Sequence, residues 1–465
     1  MIGARAAERV RRTQRAGRGR TWAACGVVAA LVTSRPCATA DSEAEAAGGL
    51  LLRGAVVHTV TGPTLTRGDV WLRNGRVVAV RERVEAPGAR VVDLAGLHLY
   101  PALIALNTGL GLKEIDAVRS TLDQTEVGAY TPEVASWVAV NPDSELLPVA
   151  RANGIGFFEP VPMGGVVSGR SGLMRLEGWG VRDMTVRAPL ALHVFWPSMD
   201  LDTRTKDEVR DPAAWKSLAE QARERTGRLR ELEDFFRQAV AYARAQDPNR
   251  PPQPAAPGTQ PIWEAMLPFV RGELPVVVHA DEVRQIRAAL AWAETNRWRV
   301  VLAGGRDAWR EAGRLAAQKI PVIYEHVFTR PTRDVDPYDV HFRAPAVLHE
   351  AGVTLLFSTG AEDASLVKNL PYHAAQAVAH GFPPETALRA LTLEAARACG
   401  LGDRLGAIEP GREATLFAAT GDIFDIRTRV VRMWIAGREV GLENRHTRLY
   451  EKYRQRPVRA TTPPR

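Results

Sequence analysis

The sequence predicts an α/β protein, in which a (β/α)8 TIM-like barrel is joined to a small discontinuous β-sandwich built from both ends of the chain. Through the middle of the chain, short apolar runs alternate with helical patterns, which is typical of parallel strands connected by helices. Two groups of short alternating strands flank this middle, one towards each terminus. With 465 residues, 45% of them hydrophobic, the chain is long enough to bury more than one core.

The first 40 residues have the plan of a signal peptide, with an arginine-rich start, an apolar run at 22–33 and the cleavage pattern Ala38-Thr39-Ala40. The run is shorter than the ~20 residues that span a membrane. We therefore expect a periplasmic or secreted protein without a stable membrane span. Residues 1–40 contain eight arginines and one acid, so most of the net charge of +8 belongs to this leader. The basic composition consequently does not indicate nucleic-acid binding.

Residues 50–98 and 407–445 predict the composite β-sandwich. Alternating apolar residues flank Asn74-Gly75, a dipeptide typical of tight hairpin turns, and Ala436-Gly437 occupies the corresponding place in the C-terminal segment. Because similar β segments stand at both ends of the chain, we expect them to form one domain.

Residues 99–406 predict the barrel, with an insertion at 204–261 that consists of a charged helical stretch and a Pro-rich loop. A basic, aromatic tail at 446–465 follows the second β segment. The expected barrel strands lie at 99–106, 136–140, 155–160, 190–196, 275–279, 299–303, 321–325 and 353–358.

The order of these signals resembles the amidohydrolase superfamily, close to its imidazolonepropionase-like members. The segments that carry the resemblance are GAVVHTVTG…GDVWLRNGRVVAV, DLAGLHLYPALIALNT, LPVVVHADEVRQIRAAL, VTLLFSTG and LGDRLGAIEPGREATLFAATGD. Together they cover about residues 50–445. The resemblance implies a barrel whose metal ions, bound at the carboxyl ends of the strands, activate water to hydrolyse C–N bonds other than peptide bonds, as in cyclic amides.

The residues at the positions of the family's metal ligands are mostly unsuitable for metal binding. The resemblance implies two His on strand one, a Lys or Glu on strand four, a His on each of strands five and six, and an Asp on strand eight. The corresponding positions read Asn107 and Gly109, only His193, then His279, Gly304 or Gly305, and Gly360. One ligand of six is retained, whereas metal sites need three or four good donors.

Two interpretations of the barrel mouth stay open. His279, His326 and Asp363 form a substitute site for one divalent metal such as zinc, with His279 and Asp363 as catalytic groups. Alternatively, no metal binds and these polar side chains line a wet cavity or cap helices. Asn107, Glu325 and Glu362 are candidate ligand-binding residues at the same mouth.

The glycine-rich segment GGVVSGRSG at 164–172 also has two interpretations. Its backbone N–H groups, with Ser168 and Arg170, are candidates for binding an anionic part of a ligand. The alternative is a glycine-rich hairpin at the barrel rim, where glycine serves backbone conformation.

The sequence thus supports two functions from different classes. One is an exported amidohydrolase-like enzyme that hydrolyses non-peptide C–N bonds with a degenerate metal site. The other is a catalytically inactive relative, which binds a small molecule, forms a homo-oligomer, or pairs as a subunit with an intact homologue.

Overall fold

The computed structural model describes residues 48–246 and 258–456. The predicted signal peptide at 1–40, most of the Pro-rich loop and the last nine residues of the tail lie outside the described residues.

The strands and helices alternate through the middle of the chain. The strands are β1 Leu50–Val57, β2 Leu65–Arg73, β3 Arg76–Arg81, β4 Arg90–Asp93, β5 His98–Pro101, β6 Leu103–Thr108, β7 Ile155–Pro160, β8 Val167–Arg170, β9 Leu173–Arg175, β10 Thr185–Arg187, β11 Leu192–Phe195, β12 Val276–Ala280, β13 Val300–Gly304, β14 Val322–Tyr324, β15 Leu355–Phe357, β16 Leu416–Ala419, β17 Val430–Ile435 and β18 Arg438–Val440. The α-helices are α1 Leu146–Arg151, α2 Val181–Met184, α3 Leu218–Ala245, α4 Pro261–Val270, α5 Val283–Asn296, α6 Ala312–Ala317, α7 Val340–Glu350, α8 Leu370–Ala379, α9 Pro384–Leu391, α10 Leu393–Ala398 and α11 Arg445–Arg454. Short 3-10 helices occupy Arg119–Thr121, Ser136–Ala139, Ala308–Glu311 and Ala364–Asn369.

Strands from both ends of the chain share one eight-stranded sheet, in the order β18-β17-β16-β5-β1-β2-β3, with β4 also paired to β1. The junction is the antiparallel pair β5–β16, where Leu99 stands opposite Ala418. Asn74 and Ala436 adopt positive φ angles of 52° and 48° at their turns, each followed by a glycine, as tight hairpins require. The described strands give one composite sheet with its own apolar core; a second layer that would make it a sandwich stays a prediction.

The middle of the chain has a mixed α/β fold. Strands β11 to β15 are parallel neighbours in a six-stranded sheet that β8 joins in antiparallel orientation, and β6 and β7 are parallel in a separate four-stranded sheet. The two sheets are connected by hydrogen bonds from side chains instead of by backbone hydrogen bonds between neighbouring strands. Ser358 Oγ donates to the carbonyl oxygen of Asn107 at 3.0 Å, and Ser171 Oγ donates to Glu159 Oε1 at 2.6 Å. Closure of these strands into a complete barrel stays a prediction.

The expected barrel strand at 136–140 is wrong, because Ser136–Ala139 form a 3-10 helix. Ser136 Oγ donates to the carbonyl oxygen of Pro160 at 2.6 Å and approaches that of Arg170 at 3.2 Å. The segment therefore joins β7 to β8 through a side chain instead of pairing as a strand. The remaining expected strands are confirmed, with boundaries that differ by a few residues.

The insertion contributes one long helix. Helix α3 begins with a capping box between Ser217 and Glu220 and packs buried aromatic side chains, among them Phe235 and Phe236, against the main core. Within the described parts of the chain, no helix is long and apolar enough to cross a membrane.

Candidate functional site

A cavity of about 460 Å³ opens at the carboxyl ends of the parallel strands. This is the end where barrel enzymes of this class build their sites, because the loops that follow the strands meet there. The cavity is lined by Asn107, Met163, Phe195, Trp196, His279, Ala280, Asp281, Gln285, Ala303, Gly304, Glu325, His326, Thr329, Thr359, Gly360, Ala361 and Glu362.

A buried carboxylate, Glu159 at the end of β7, lies below the cavity floor. It accepts hydrogen bonds from Ser171 Oγ at 2.6 Å and from the backbone N–H of Asn107 at 3.1 Å, and His193 Nε2 lies 3.5 Å from its Oε1. Burial alone raises the pKa of Glu159, but the contact with His193 and the two hydrogen bonds outweigh burial and hold the pKa below its ordinary value. Glu159 is therefore ionised.

Two histidines, His193 and His279, connect Glu159 to the cavity. His193 Nδ1 and His279 Nε2 lie 2.9 Å apart, and the His279 ring stacks on Phe195 with ring centroids 3.9 Å apart. Burial, and next the neighbouring His193, lower the pKa of His279 well below its ordinary value, so His279 is neutral. If His193 donates from Nε2 to Glu159, its Nδ1 accepts from His279 Nε2–H. That nitrogen of His279 is then already engaged.

A second arm of the network links Asn107 to Glu325. Asn107 is 1% exposed and adopts a φ of 52°, a conformation that asparagine tolerates better than most residues. Its Nδ2 donates to Glu325 Oε1, while its buried Oδ1 has no hydrogen-bond partner in the part of the chain that the structure describes. Burial, and next the negative charge of Asp281, raise the pKa of Glu325 to about 8.

The rim of the cavity holds an Asp–His pair. His326 Nε2 lies 2.6 Å from Asp281 Oδ1, and His326 Nδ1 lies 3.0 Å from Thr329 Oγ1. Burial raises the pKa of Asp281, but the hydrogen bond and charge of His326, together with those of Arg306, outweigh burial and lower the pKa. Glu282, and not Asp281, caps helix α5, in a capping box with Gln285.

Glycines stand where the resemblance implies metal ligands, and their surroundings leave little room for side chains. A Cβ atom at Gly304 would lie 2.5 Å from Asp281 Oδ1, and one at Gly109 would lie 2.5 Å from the carbonyl oxygen of Ala361. Gly360 has a φ of 85°, which side chains rarely adopt, and its Cβ would lie 3.0 Å from Glu325 Oε2.

These residues do not fit the metal centre that the resemblance implies. Across residues 48–246 and 258–456, no three His, Cys, Asp or Glu side chains are grouped closely enough to hold a metal ion. His279 and His326 both line the cavity, but Asp363 does not; its Oδ1 accepts from the N–H and the Oγ of Ser365 at 2.9 and 2.7 Å, at the start of a 3-10 helix. The structure therefore does not bring the predicted triad together.

The other predicted site residues divide between the cavity and the rim. Asn107, Glu325 and Glu362 line the cavity, whereas Ser168 and Arg170 do not. Ser168 Oγ donates to the carbonyl oxygen of Gly164, and Arg170 donates to that of Glu133 at 2.9 Å. The predicted glycine-rich hairpin does not form, because β8 pairs with β11 while β9 pairs with β7 and β10.

Sequence reasoning missed the buried centre of the network. Glu159 stands in the apolar run IGFFEP, and a carboxylate in a strand that is buried throughout was the signal that could have found it. Ser171 is fully buried, but apart from its place in the glycine-rich segment nothing in the sequence indicated that it belongs to the site.

Comparisons with known proteins agree with the architecture. The family model described as the amidohydrolase family matches residues 338–440, and a comparison with curated proteins finds no match. The chain is similar to the crystal structure of an amidohydrolase from Thermotoga maritima MSB8, with 26% identity and a TM-score of 0.73 over 84% of this chain and 99% of that one. It shares its fold with a prolidase solved with N-methylphosphonate-L-proline, at 16% identity and a TM-score of 0.50 over 84% of this chain and 99% of that one. These findings confirm the resemblance that the sequence indicated: residues 338–440 match the amidohydrolase family, and the chain is similar to a solved amidohydrolase over most of its length.

Proposed function

We propose that this amidohydrolase-like protein binds a small organic molecule in the cavity at the strand ends and does so without a binuclear metal centre. The observation that carries the proposal is that glycine occupies positions 109, 304 and 360, where neighbouring oxygen atoms already fill or border the space of a ligand side chain. Restoring the ligands would require the surrounding network to move. The cavity remains large and mixed in polarity, as small-molecule sites are.

The hydrogen bonds of the network support the same proposal. Metal binding to His279 through Nε2 would break its contact with His193, which in turn faces Glu159. Glu325 is engaged by Asn107, and Asp281 by His326. These pairings engage groups that metal ions would otherwise neutralise, which supports a site that works without a binuclear metal centre.

A second candidate function is hydrolysis of a non-peptide C–N bond, such as that of a cyclic amide. One observation favours it: the pKa of Glu325 is about 8, so its carboxyl keeps a proton at neutral pH and can donate it to a leaving nitrogen. Glu325 would be the general acid, and the pair Asp281–His326 would orient the substrate. Asp363, which does not line the cavity, has no role in this candidate.

Elemental analysis of protein purified without chelators, combined with turnover assays, tests the proposal. We expect less than about one equivalent of transition metal per chain and no turnover of cyclic amides, such as hydantoin or dihydrouracil, above that of Glu325→Gln. Two equivalents of tightly bound zinc would overturn the metal-independent site. Metal-free turnover that Glu325→Gln abolishes would establish the second candidate instead.

We also propose export of the chain, on the leader pattern of residues 1–40. Mass spectrometry of the exported protein should then show Asp41 as its first residue, and a soluble cytoplasmic form that retains the leader contradicts export. Self-association, or pairing with an intact homologue, remains a further proposal that mass photometry of the protein, alone and mixed with such a homologue, tests directly.

A further inference from the structure

One buried acceptor oxygen of the cavity lining has no hydrogen-bond donor among the described residues. Asn107 is 1% exposed and lines the cavity, and its Oδ1 has no hydrogen-bond partner within residues 48–246 and 258–456. A buried carbonyl oxygen without a donor is costly, so its presence at a cavity wall indicates a donor that arrives with a ligand.

The neighbouring carboxylates each present a second oxygen. The hydrogen bonds to Asp281 from His326 Nε2 and from the N–H of Arg306 both end on Oδ1. The bond from Asn107 to Glu325 ends on Oε1, while Oε2 lies on the side of Gly360, whose position carries no side chain. Asp281 Oδ2 and Glu325 Oε2 therefore accept none of these bonds. Without a ligand, Glu325 keeps its proton at neutral pH, because its pKa is about 8. A cation bound beside Glu325 would lower that pKa and displace the proton, so that both groups accept as carboxylates in the complex.

The lining is acidic. Asp281, Glu325 and the exposed Glu362 contribute carboxyl groups, whereas the described lining residues include no Lys or Arg. The nearest cations face other partners or lie outside the lining. Lys113 Nζ pairs with Asp116 Oδ1 at 2.9 Å and donates to the carbonyl oxygen of Glu362, and Arg306 borders Asp281 from outside the cavity.

One wall of the cavity is apolar. The Phe195 ring, stacked on His279, stands beside Trp196 and Met163. An aromatic or aliphatic group would lie against this wall, and aromatic faces also attract organic cations. The cavity thus combines an apolar wall with a cluster of acceptors and negative charge.

We propose that the natural ligand is a small organic cation that carries several N–H donors, such as an amidinium or a protonated primary amine, attached to a flat apolar group. The inference rests on the proposed binding function and names the ligand class of the same site. The charged nitrogen group lies between Asp281, Glu325 and Asn107, and the apolar group lies against Phe195. Charge-assisted hydrogen bonds to the two carboxylates supply most of the selectivity.

Isothermal titration of the full-length protein with benzamidinium, benzamide and benzoate tests this class, because the three probes share size and ring but carry charges of +1, 0 and −1. We expect benzamidinium to bind at least about tenfold more tightly than benzamide, which corresponds to about 1.4 kcal/mol, and benzoate to bind most weakly. Glu325→Gln and Glu362→Gln should each reduce the ratio between the first two probes. Glu385→Gln, in a separate cavity, is the matched control and should leave the ratio unchanged.

Equal affinity for benzamide and benzamidinium would overturn the charge preference and leave metal-independent binding intact. Absence of binding by all three probes at millimolar concentration, or a ratio that Glu325→Gln and Glu362→Gln do not change, would overturn the assigned ligand class. Failure of the proposed function has a separate signature, namely tightly bound metal in the purified protein. Since Glu362 is exposed, its substitution tests binding without threatening the fold.

Discussion

Two cavities of similar volume, about 460 Å³ at the strand ends and about 430 Å³ beside the composite sheet, differ in how their polar groups are satisfied. A pair of neighbouring histidines lies at the wall of each cavity, and one member of the first pair, His193, is buried behind that wall. At the strand ends, His193 and His279 connect a buried carboxylate to the cavity. Beside the composite sheet, His58 Nε2 lies 3.1 Å from His98 Nδ1, and the His58 ring stacks on Tyr100.

In the lining of the second cavity, no buried side-chain nitrogen or oxygen atom lacks a hydrogen-bond partner among the described residues. Tyr100 donates to the carbonyl oxygen of Gly421 at 3.3 Å, and the lining includes both acids and Arg389, which pairs with Glu394. At the strand ends, by contrast, Asn107 Oδ1 is left without a donor and the lining charge is acidic. The comparison teaches that unsatisfied polar atoms, and not cavity volume, distinguish a candidate binding site from a packing defect.

The largest expected effect is on the buried carboxylate below the first cavity. Glu159→Ala leaves Ser171, His193 and the N–H of Asn107 without their acceptor. We expect the free energy of unfolding to fall by about 3–5 kcal/mol, measured by urea denaturation. The matched variant at the second cavity, Asp422→Ala, removes an exposed carboxylate that accepts from the N–H of Phe424 and should cost about 1 kcal/mol or less. If both variants lost the same free energy of unfolding, the hydrogen bonds to Glu159 would contribute no more to stability than those of an exposed carboxylate.

A smaller effect is expected from filling a glycine position. Gly304→Ala introduces a Cβ that meets Asp281 Oδ1 at 2.5 Å, and Asp281 is held in place by His326. Gly352→Ala is the control, because Gly352 has a similar φ of 89° but open space around its Cβ. We expect Gly304→Ala to be destabilising by about 1–3 kcal/mol beyond this control in thermal or urea denaturation. Identical losses would mean that backbone strain alone requires glycine at position 304.

The pH dependence of stability should reveal the raised pKa of Glu325. Its folded-state value of about 8 lies above its ordinary value near 4.5, so between these pH values the native state binds more protons than the unfolded chain. This contribution lowers the free energy of unfolding as pH rises across the window, by at most about 1.4 kcal/mol per pH unit. Glu325→Gln should remove the slope. Parallel stability curves for the two proteins between pH 5 and pH 8 would contradict a buried, protonated Glu325.

The smallest expected effect is the pH dependence of stability that His58 causes at the second cavity. Here stability falls as pH falls, whereas Glu325 makes it fall as pH rises. Burial, and next the neighbouring His98, lower the pKa of His58 to about 4. The contribution of His58 to the free energy of unfolding is fully present above pH 6.5, near the ordinary pKa of histidine, and is lost as pH falls towards 4. His58→Phe retains a ring for Tyr100 and should flatten the wild-type decline between pH 6.5 and 4. Because His58 is partly exposed, solvent screening keeps this effect small. An unchanged decline in His58→Phe would contradict the lowered pKa.

The sequence predicted the elements of the fold better than the contacts of the site. Runs such as the one ending at His279 predicted buried strands correctly, because apolar character is local information. The sequence also placed His279, Glu325 and His326 correctly at the same cavity, since the carboxyl ends of parallel strands face the same way.

The contacts that define the site join residues far apart in sequence, so local patterns did not predict them. The pairing of Asn107 with Glu325, and that of Asp281 with His326, depend on which strands are neighbours and on their register. Asp363 failed as a predicted ligand because its carboxylate turns back to Ser365, a local bond that competes with any role in the cavity.

The pairing of β5 with β16 has a consequence for synthesis of the chain. Leu99 emerges early from the ribosome, but its partner Ala418 is made only near the end. The composite sheet therefore remains incomplete, with an edge of β5 unpaired, until almost the whole chain has been translated, and contacts this distant in sequence form slowly. Premature termination anywhere before β16 would leave that edge open to pairing with other chains, so incomplete translation products should be especially prone to aggregation.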